Sequence, residues 1–206
     1  MTDSFSHWDK VYTTKKHDQV SWHQDRSTIS LDWILKYTQQ DDDIIDIGCG
    51  VSRLADNLLS EGYSKLSLLE ISKNAIEAIQ KRLESEKDQV SFYNQDILEF
   101  SSKKRFKLWH DRAVFHFLTN PDDQRIYIQK LYDYLQKDGY FLLATFSLDG
   151  PTECSELKVM QYDEKKITQL LGQSFKLIKT TTESHPHPNG SFQKFNYFLL
   201  QKKVIK

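Results

Sequence analysis

The sequence predicts an α/β protein: a three-layer α/β/α, doubly wound sheet of seven strands, mostly parallel, with an antiparallel strand in a C-terminal hairpin. Three observations carry this reading. Short apolar runs alternate with segments of helical periodicity between residues 31 and 146, the pattern of parallel strands joined by crossover helices. The run Ile44-Ile45-Asp46-Ile47 passes straight into Gly48-Cys49-Gly50, a buried strand ending in a tight turn. The chain closes on two strand-like runs joined by His185-Pro186-His187-Pro188-Asn189-Gly190, a turn-rich link that favours a hairpin.

The elements follow in order. The first 28 residues are polar with scattered aromatics, Trp8, Tyr12 and Trp22, and read as a cap or lid over residues 1–30. Leu31, Ile34 and Leu35 recur at helical spacing, with Ser30 as the expected cap. After the glycine turn, Leu54 and Leu58 with a stop at Gly62 predict a helix, and Lys65 to Glu70 a second strand. Ile76, Ile79 and Leu83 predict a helix after Ser72. Val90 to Tyr93 and Phe106 to Trp109 read as strands, and Asn120-Pro121 opens a helix continuing to Gly139. Tyr140 to Phe146 is the fifth strand, and Phe175 to Thr182 and Phe192 to Leu200 are the hairpin.

Composition narrows the setting. A chain of 206 residues fits one domain, here 1–206. Lys plus Arg is 28 against 29 for Asp plus Glu, a net charge of -1 that offers no global attraction to nucleic acid or an anionic membrane. The cysteines, Cys49 and Cys154, make no disulfide framework, and residues Met1 to Lys10 lack the character of a signal peptide. No apolar run approaches the roughly 18 residues of a membrane span. The expectation is a cytoplasmic protein of undetermined oligomeric state.

The glycine turn is the strongest chemical signal. Gly48 and Gly50 let the backbone turn and approach a ligand at the carboxyl end of the strand, where open α/β sheets bind their ligands. A dinucleotide fingerprint needs a third glycine three positions on, and Arg53 stands there. That bulk argues against a pyrophosphate held close to the helix, and so against a nicotinamide oxidoreductase. Glu70, at the end of the second strand, can accept bonds from both hydroxyls of a ribose. In Gln95-Asp96-Ile97, the acid suits an adenine amino group and Ile97 the face of the ring. Cys49 reads as a small buried residue, not a nucleophile.

Together these residues resemble the class I, Rossmann-like S-adenosylmethionine-dependent methyltransferases, over about Trp33 to Leu200. The resemblance implies S-adenosylmethionine as cofactor and S-adenosylhomocysteine as product. It places Asp46, Gly48 and Gly50 in the glycine-rich motif, with Asp46 near the methionine end, and Glu70 at the ribose; Cys49, Arg53, Leu54 and Ile71 join them as cofactor-binding residues. Asp96 and Ile97 fall at the adenine, with Asp111 and Trp22 completing the cofactor set. Trp8-Asp9-Lys10-Val11-Tyr12 with Val20-Ser21-Trp22, and Trp109 to Leu118, are similar to motifs of a group of small, mostly bacterial members without a settled substrate.

The carboxyl end of the fourth strand is the expected reaction region. His110 and His116 are candidate general bases, Asp111 a partner for the cofactor's amino group, and Arg112 a holder of a substrate carboxylate or phosphate. Each also has a structural reading, as a satisfied core histidine or an internal ion pair. The resemblance implies in-line displacement at the methyl carbon, for which positioning and water exclusion are the protein's task.

Absences sort the acceptor. The pattern of nucleic-acid amino methyltransferases, Asn or Asp, then Pro-Pro and an aromatic, does not follow the fourth strand, where Trp109-His110-Asp111-Arg112 stands, so nucleic acid is disfavoured. Val114 follows Asp111 by three where protein-lysine enzymes of this fold often carry Tyr or Phe. A small molecule is therefore the first choice and a protein side chain the second, with a non-catalytic S-adenosylmethionine-binding protein as the other alternative. No metal is expected: His185 and His187 lack further ligands and read as a solvated loop.

Overall fold

In the computed structural model, residues 4–14, 20–187 and 190–203 are described. The chain forms two compact units, residues 1–101 and 102–206.

The first unit holds α1 (Ser4–Thr14), α2 (Thr28–Tyr37), β1 (Ile44–Ile47), α3 (Leu54–Ser60), β2 (Leu66–Glu70), α4 (Lys73–Arg82) and β3 (Val90–Asn94). Its strands run parallel in the order β3-β2-β1, with Ile44 opposite Leu66 and Leu66 opposite Val90. Every residue of β1 and β2 is buried, as expected for strands covered on both faces. Ser72 caps α4 as predicted, its hydroxyl accepting from the Ala75 N–H at 3.2 Å. Ser30 does not cap α2. That helix begins two residues earlier, with Ser27 at its cap and Ser30 buried inside its first turns. The polar amino-terminal segment forms a helix, α1, in which only Val11 is buried.

The second unit holds β4 (Phe106–Arg112), α5 (Pro121–Tyr134), β5 (Leu135–Phe146), the short pair β6 (Glu153–Cys154) and β7 (Leu157–Lys158), α6 (Glu164–Leu171), β8 (Phe175–Pro186) and β9 (Phe192–Lys202). β4 and β5 are parallel, and β9 is antiparallel to both β5 and β8. Asn120 caps α5, accepting from the Asp122 N–H at 2.9 Å. The helix stops at Tyr134, short of Gly139, because Leu135 already pairs with Phe106 and residues up to Gly139 form an irregular excursion before Leu108 meets Tyr140. The hairpin strands are longer than predicted, so His185 lies within β8 and is buried, not in a solvated turn. Pro188 and Asn189 of the predicted link lie outside the described residues.

The seven long strands make one mostly parallel sheet flanked by helices and closed by the antiparallel hairpin, the predicted fold class. Among the described residues no helix is long and apolar enough to cross a membrane.

Candidate functional site

In the first unit the glycine turn and Glu70 form one hydrogen-bonded assembly. Gly48 and Gly50 take the left-handed backbone, with φ of 60° and 51°. The Gly50 N–H donates to Glu70 Oε2 at 2.9 Å, and the Ser72 N–H donates to Glu70 Oε1 at 2.8 Å. Cys49 is buried between the glycines, and its N–H donates to the Leu69 carbonyl at 3.0 Å. Burial of Glu70 raises its pKa to about 7, with the two backbone N–H bonds resisting that rise. Asp46, also buried, adds a like charge in the same direction.

The turn is braced from outside. Arg82, on the last turn of α4, donates to the Val51 carbonyl at 3.0 Å and reaches the Ser52 carbonyl and Asp56 with its other terminal nitrogen. Arg53 precedes α3 and pairs with Asp56 at 3.0 Å, and Leu54 is buried in the helix's first turn. Ile71 lies between Glu70 and Ser72, and its carbonyl accepts from Asn94 at 2.8 Å. Asp96 is half-buried; its Oδ1 caps its own turn by accepting from the Leu98 N–H at 2.8 Å, and Ile97 beside it is buried.

Helix α1 covers this assembly. A β-carbon built on Gly50 would collide with the Tyr12 hydroxyl. Trp22 hydrogen-bonds that hydroxyl and meets the Tyr12 ring edge-on at 6.4 Å, with Trp8 a further 5.9 Å from Trp22. Burial, reinforced by the Glu70 charge, pushes the Tyr12 phenol well above its ordinary pKa.

In the second unit the turn after β4 is built around Asp111. Its carboxylate is fully buried and accepts from the Tyr127 hydroxyl at 2.6 Å, the Val114 N–H at 2.9 Å and the Phe115 N–H at 3.1 Å. Tyr127 in turn accepts from Trp109 Nε1 at 3.0 Å. These bonds hold a turn in which Ala113 takes φ of 71°, a strained value for a residue with a β-carbon. Burial lifts the Asp111 pKa to about 6 against the opposing pull of its donors.

The same turn delivers His116, which is 0% exposed, and neither ring nitrogen has a hydrogen-bond partner. The imidazole lies 4.7 Å from the Phe146 ring and 4.5 Å from that of Phe117. Burial and the Arg112 charge lower its pKa to about 3, so it is neutral at physiological pH. Arg112 lies over the Phe195 ring at 4.6 Å, donates from Nε to the Tyr197 hydroxyl at 3.0 Å and pairs with Glu183 at 3.8 Å. The strand register explains the grouping: Arg112 pairs with Ala144, which pairs with Tyr197, while Phe146 pairs with Phe195 and Phe195 with Glu183. His110 is buried on β4, opposite Leu142. Among the described residues no group of three or more His, Cys, Asp or Glu side chains is arranged for a metal ion.

Sequence reasoning did not single out Asp9, Ser72 or Arg82 as site residues, nor Tyr127, Glu183 and Tyr197 as partners of the reaction region. Asp9 stands out only as part of the motif Trp8 to Tyr12 and Ser72 only as the start of a helix; the others carry no sequence signal beyond residue type. Asp9 and Tyr12 do stand one helical turn apart on one face of a helix.

A family model described as a methyltransferase domain matches residues 38–197. The chain belongs to that family, within the class I S-adenosylmethionine-dependent methyltransferase superfamily, whose fold it has. It is 24% identical over 143 residues to malonyl-[acyl-carrier protein] O-methyltransferase 2 of Ilyobacter polytropus, a match covering 69% of this chain and 54% of that protein. It is 23% identical over 122 residues to the eEF1A lysine and N-terminal methyltransferase of Danio rerio, covering 58% of this chain and 17% of that one. The chain thus matches about half or less of the length of these curated relatives. Among solved structures, the 1,6-didemethyltoxoflavin-N1-methyltransferase of Burkholderia thailandensis superposes with a TM-score of 0.71 at 17% identity, over 98% of this chain and 84% of that one.

Proposed function

We propose that this protein transfers a methyl group from S-adenosylmethionine to a small-molecule acceptor. The fit of its own residues to the cofactor supports the first half of that reading. Two glycines with left-handed backbone flank Cys49 in the turn and add no side chains of their own, and the buried Glu70 keeps lone pairs for ribose hydroxyls beside its backbone bonds. Asp46, Gly48, Cys49, Gly50, Arg53 and Leu54 would surround the methionine end, Ile71 the ribose, Asp96 and Ile97 the adenine, and Trp22 would cover the cofactor with Tyr12. When bound, S-adenosylmethionine supplies a methyl group on a cationic sulfur that needs no acid to activate its departure.

The observation that carries the acceptor class is His116. A fully buried imidazole with two unpartnered nitrogens is costly unless a polar guest completes it. Such an enclosed position suits a small molecule engulfed by the fold better than a side chain presented at a surface. Because the ring is neutral, His116 would orient the acceptor's N–H or O–H by accepting from it. Arg112 would hold an acidic group of the acceptor while stacked on Phe195. Asp111 would act as a positioning residue, fixing the turn that bears His116, and His110 would back the same strand end. The Burkholderia structure, which contains 1,6-didemethyltoxoflavin, favours a small acceptor; the Danio relative, which acts on a protein, favours the second reading.

The test is transfer of labelled methyl from S-adenosylmethionine into a small-molecule panel and, separately, into protein from a cell extract. Label in a low-molecular-weight product, lost in His116→Phe while S-adenosylhomocysteine still binds, supports the proposal. Label confined to protein overturns the acceptor class.

A further inference from the structure

Helix α1 is joined to the cofactor assembly by a continuous set of hydrogen bonds. Asp9 Oδ1 accepts from the Ser72 hydroxyl at 2.6 Å and from the Asn74 N–H at 3.2 Å. Asn74 Nδ2 donates to Thr13 Oγ1 at 2.8 Å and to the Asp9 carbonyl at 3.5 Å. Asp9 therefore sits on the amino-terminal turn of α4, where a carboxylate is favoured by unpaired N–H groups and by the helix dipole. Ser72 has three tasks. Its hydroxyl donates to Asp9 and accepts from the Ala75 N–H, and its backbone N–H donates to Glu70 Oε1. One turn along α1, Tyr12 lies against Gly50, whose N–H donates to the other oxygen of the same carboxylate. Asp9 and Tyr12, one turn apart on α1, thus touch the two residues, Ser72 and Gly50, whose N–H groups hold the two oxygens of Glu70.

Resting on the reading of Glu70 as the ribose-binding acid, we propose that Asp9 is a positioning residue of the cofactor site: its grip on Ser72 and Asn74 fixes the N–H that holds Glu70 and seats Tyr12 over Gly50, so that docking of α1 and binding of the cofactor strengthen one another. The coupling is reciprocal by thermodynamic necessity. If docked α1 raises cofactor affinity, the cofactor stabilises docked α1 by the same factor. α1 buries Val11 and half-buries Trp8 and Tyr12, and the polar latch at Asp9 adds direction and register to that packing.

The test pairs calorimetry with amide hydrogen exchange on the full chain, using S-adenosylhomocysteine as the probe. In the wild type, saturation with S-adenosylhomocysteine is expected to slow exchange across residues 4–14, a measurement that needs no variant. Asp9→Ala is expected to weaken binding about tenfold or more and to abolish that protection. Asp9→Asn keeps an oxygen for the Ser72 hydroxyl and the Asn74 N–H, so it is expected to restore most of both, which a general loss of helix would not. Unchanged exchange over 4–14 in the saturated wild type, or wild-type affinity in Asp9→Ala, overturns the proposal. Glu70→Gln is measured alongside. If it binds S-adenosylhomocysteine as the wild type does, the reading of Glu70 itself has failed, and that result is separate from an Asp9 failure against an intact Glu70 effect.

Discussion

The N–H of Gly50 points at Glu70 Oε2 across 2.9 Å, so the turn after β1 and the acid at the end of β2 share one carboxylate. Whatever alters the charge of Glu70 alters the turn, and several expected outcomes derive from that bond and from its counterpart at Asp111.

Cofactor affinity should follow the ionisation of Glu70. Its pKa is raised from 4.5 to about 7, so in the free protein the carboxylate is largely protonated below that value. A raised acid stabilises the fold most below its unfolded pKa and loses that contribution as pH rises through the folded one. In the proposed site the ribose hydroxyls would donate to the ionised form, so binding would run the other way. Calorimetry with S-adenosylhomocysteine should show affinity falling as pH drops below about 7, by up to about tenfold per unit. Glu70→Gln should bind weakly at every pH with no such slope. A slope retained in that variant would assign the titration to another group.

Gly50→Ala should cost both stability and binding. At φ of 51° a β-carbon costs about 1–2 kcal/mol in backbone energy, and here it also collides with the Tyr12 hydroxyl. A lowered melting temperature and at least about tenfold weaker S-adenosylhomocysteine binding are expected. Adding Tyr12→Ala removes the collision but not the strained φ, so only part of the stability should return. Full recovery in the double variant would mean that the backbone conformation is not the constraint.

Tyr127→Phe should destabilise the second unit by about 2 kcal/mol, because it removes a donor from the buried Asp111 carboxylate. Urea denaturation measures this. The loss should shrink at lower pH. Asp111 has its pKa raised from 3.8 to about 6, so its ionised form is the costly one, and stability improves as pH falls through that range. A loss that does not change between pH 7 and pH 5 would show that Tyr127 stabilises by packing alone.

His116→Phe should leave the melting temperature unchanged or raise it, since an apolar ring replaces two unpartnered nitrogens beside Phe146. A residue retained against stability is retained for chemistry, so methyl transfer to the acceptor should fall while S-adenosylhomocysteine affinity holds. A large drop in melting temperature would instead make His116 a structural group.

The parts legible in the sequence are those whose signal is local. The strand-turn run from Ile44 to Gly50 carries its own burial pattern and its own backbone requirement, and the Asn120-Pro121 cap is two adjacent residues. The family match over 38–197 agrees with the motifs read there. Helix α1 is legible only as a cap or lid, because the residues that Asp9 grips lie more than 60 positions away along the chain. The end of α5 was misplaced because Leu135 is claimed by Phe106, a pairing that no local pattern announces. Asp111 could be named from sequence, but Tyr127, the donor that restrains its pKa, lies a full element further on. Long-range polar pairs have no periodicity, and these are what complete the candidate site.

Arg82 gives the glycine turn a dependence on a distant helix. Its guanidinium spans the carbonyls of Val51 and Ser52 and the Asp56 carboxylate, all on the chain segment just after Gly50. The turn is therefore not a portable cassette. Grafted into another scaffold without a cation at the end of the second crossover helix, the same turn would lack the strut that sets its exit direction.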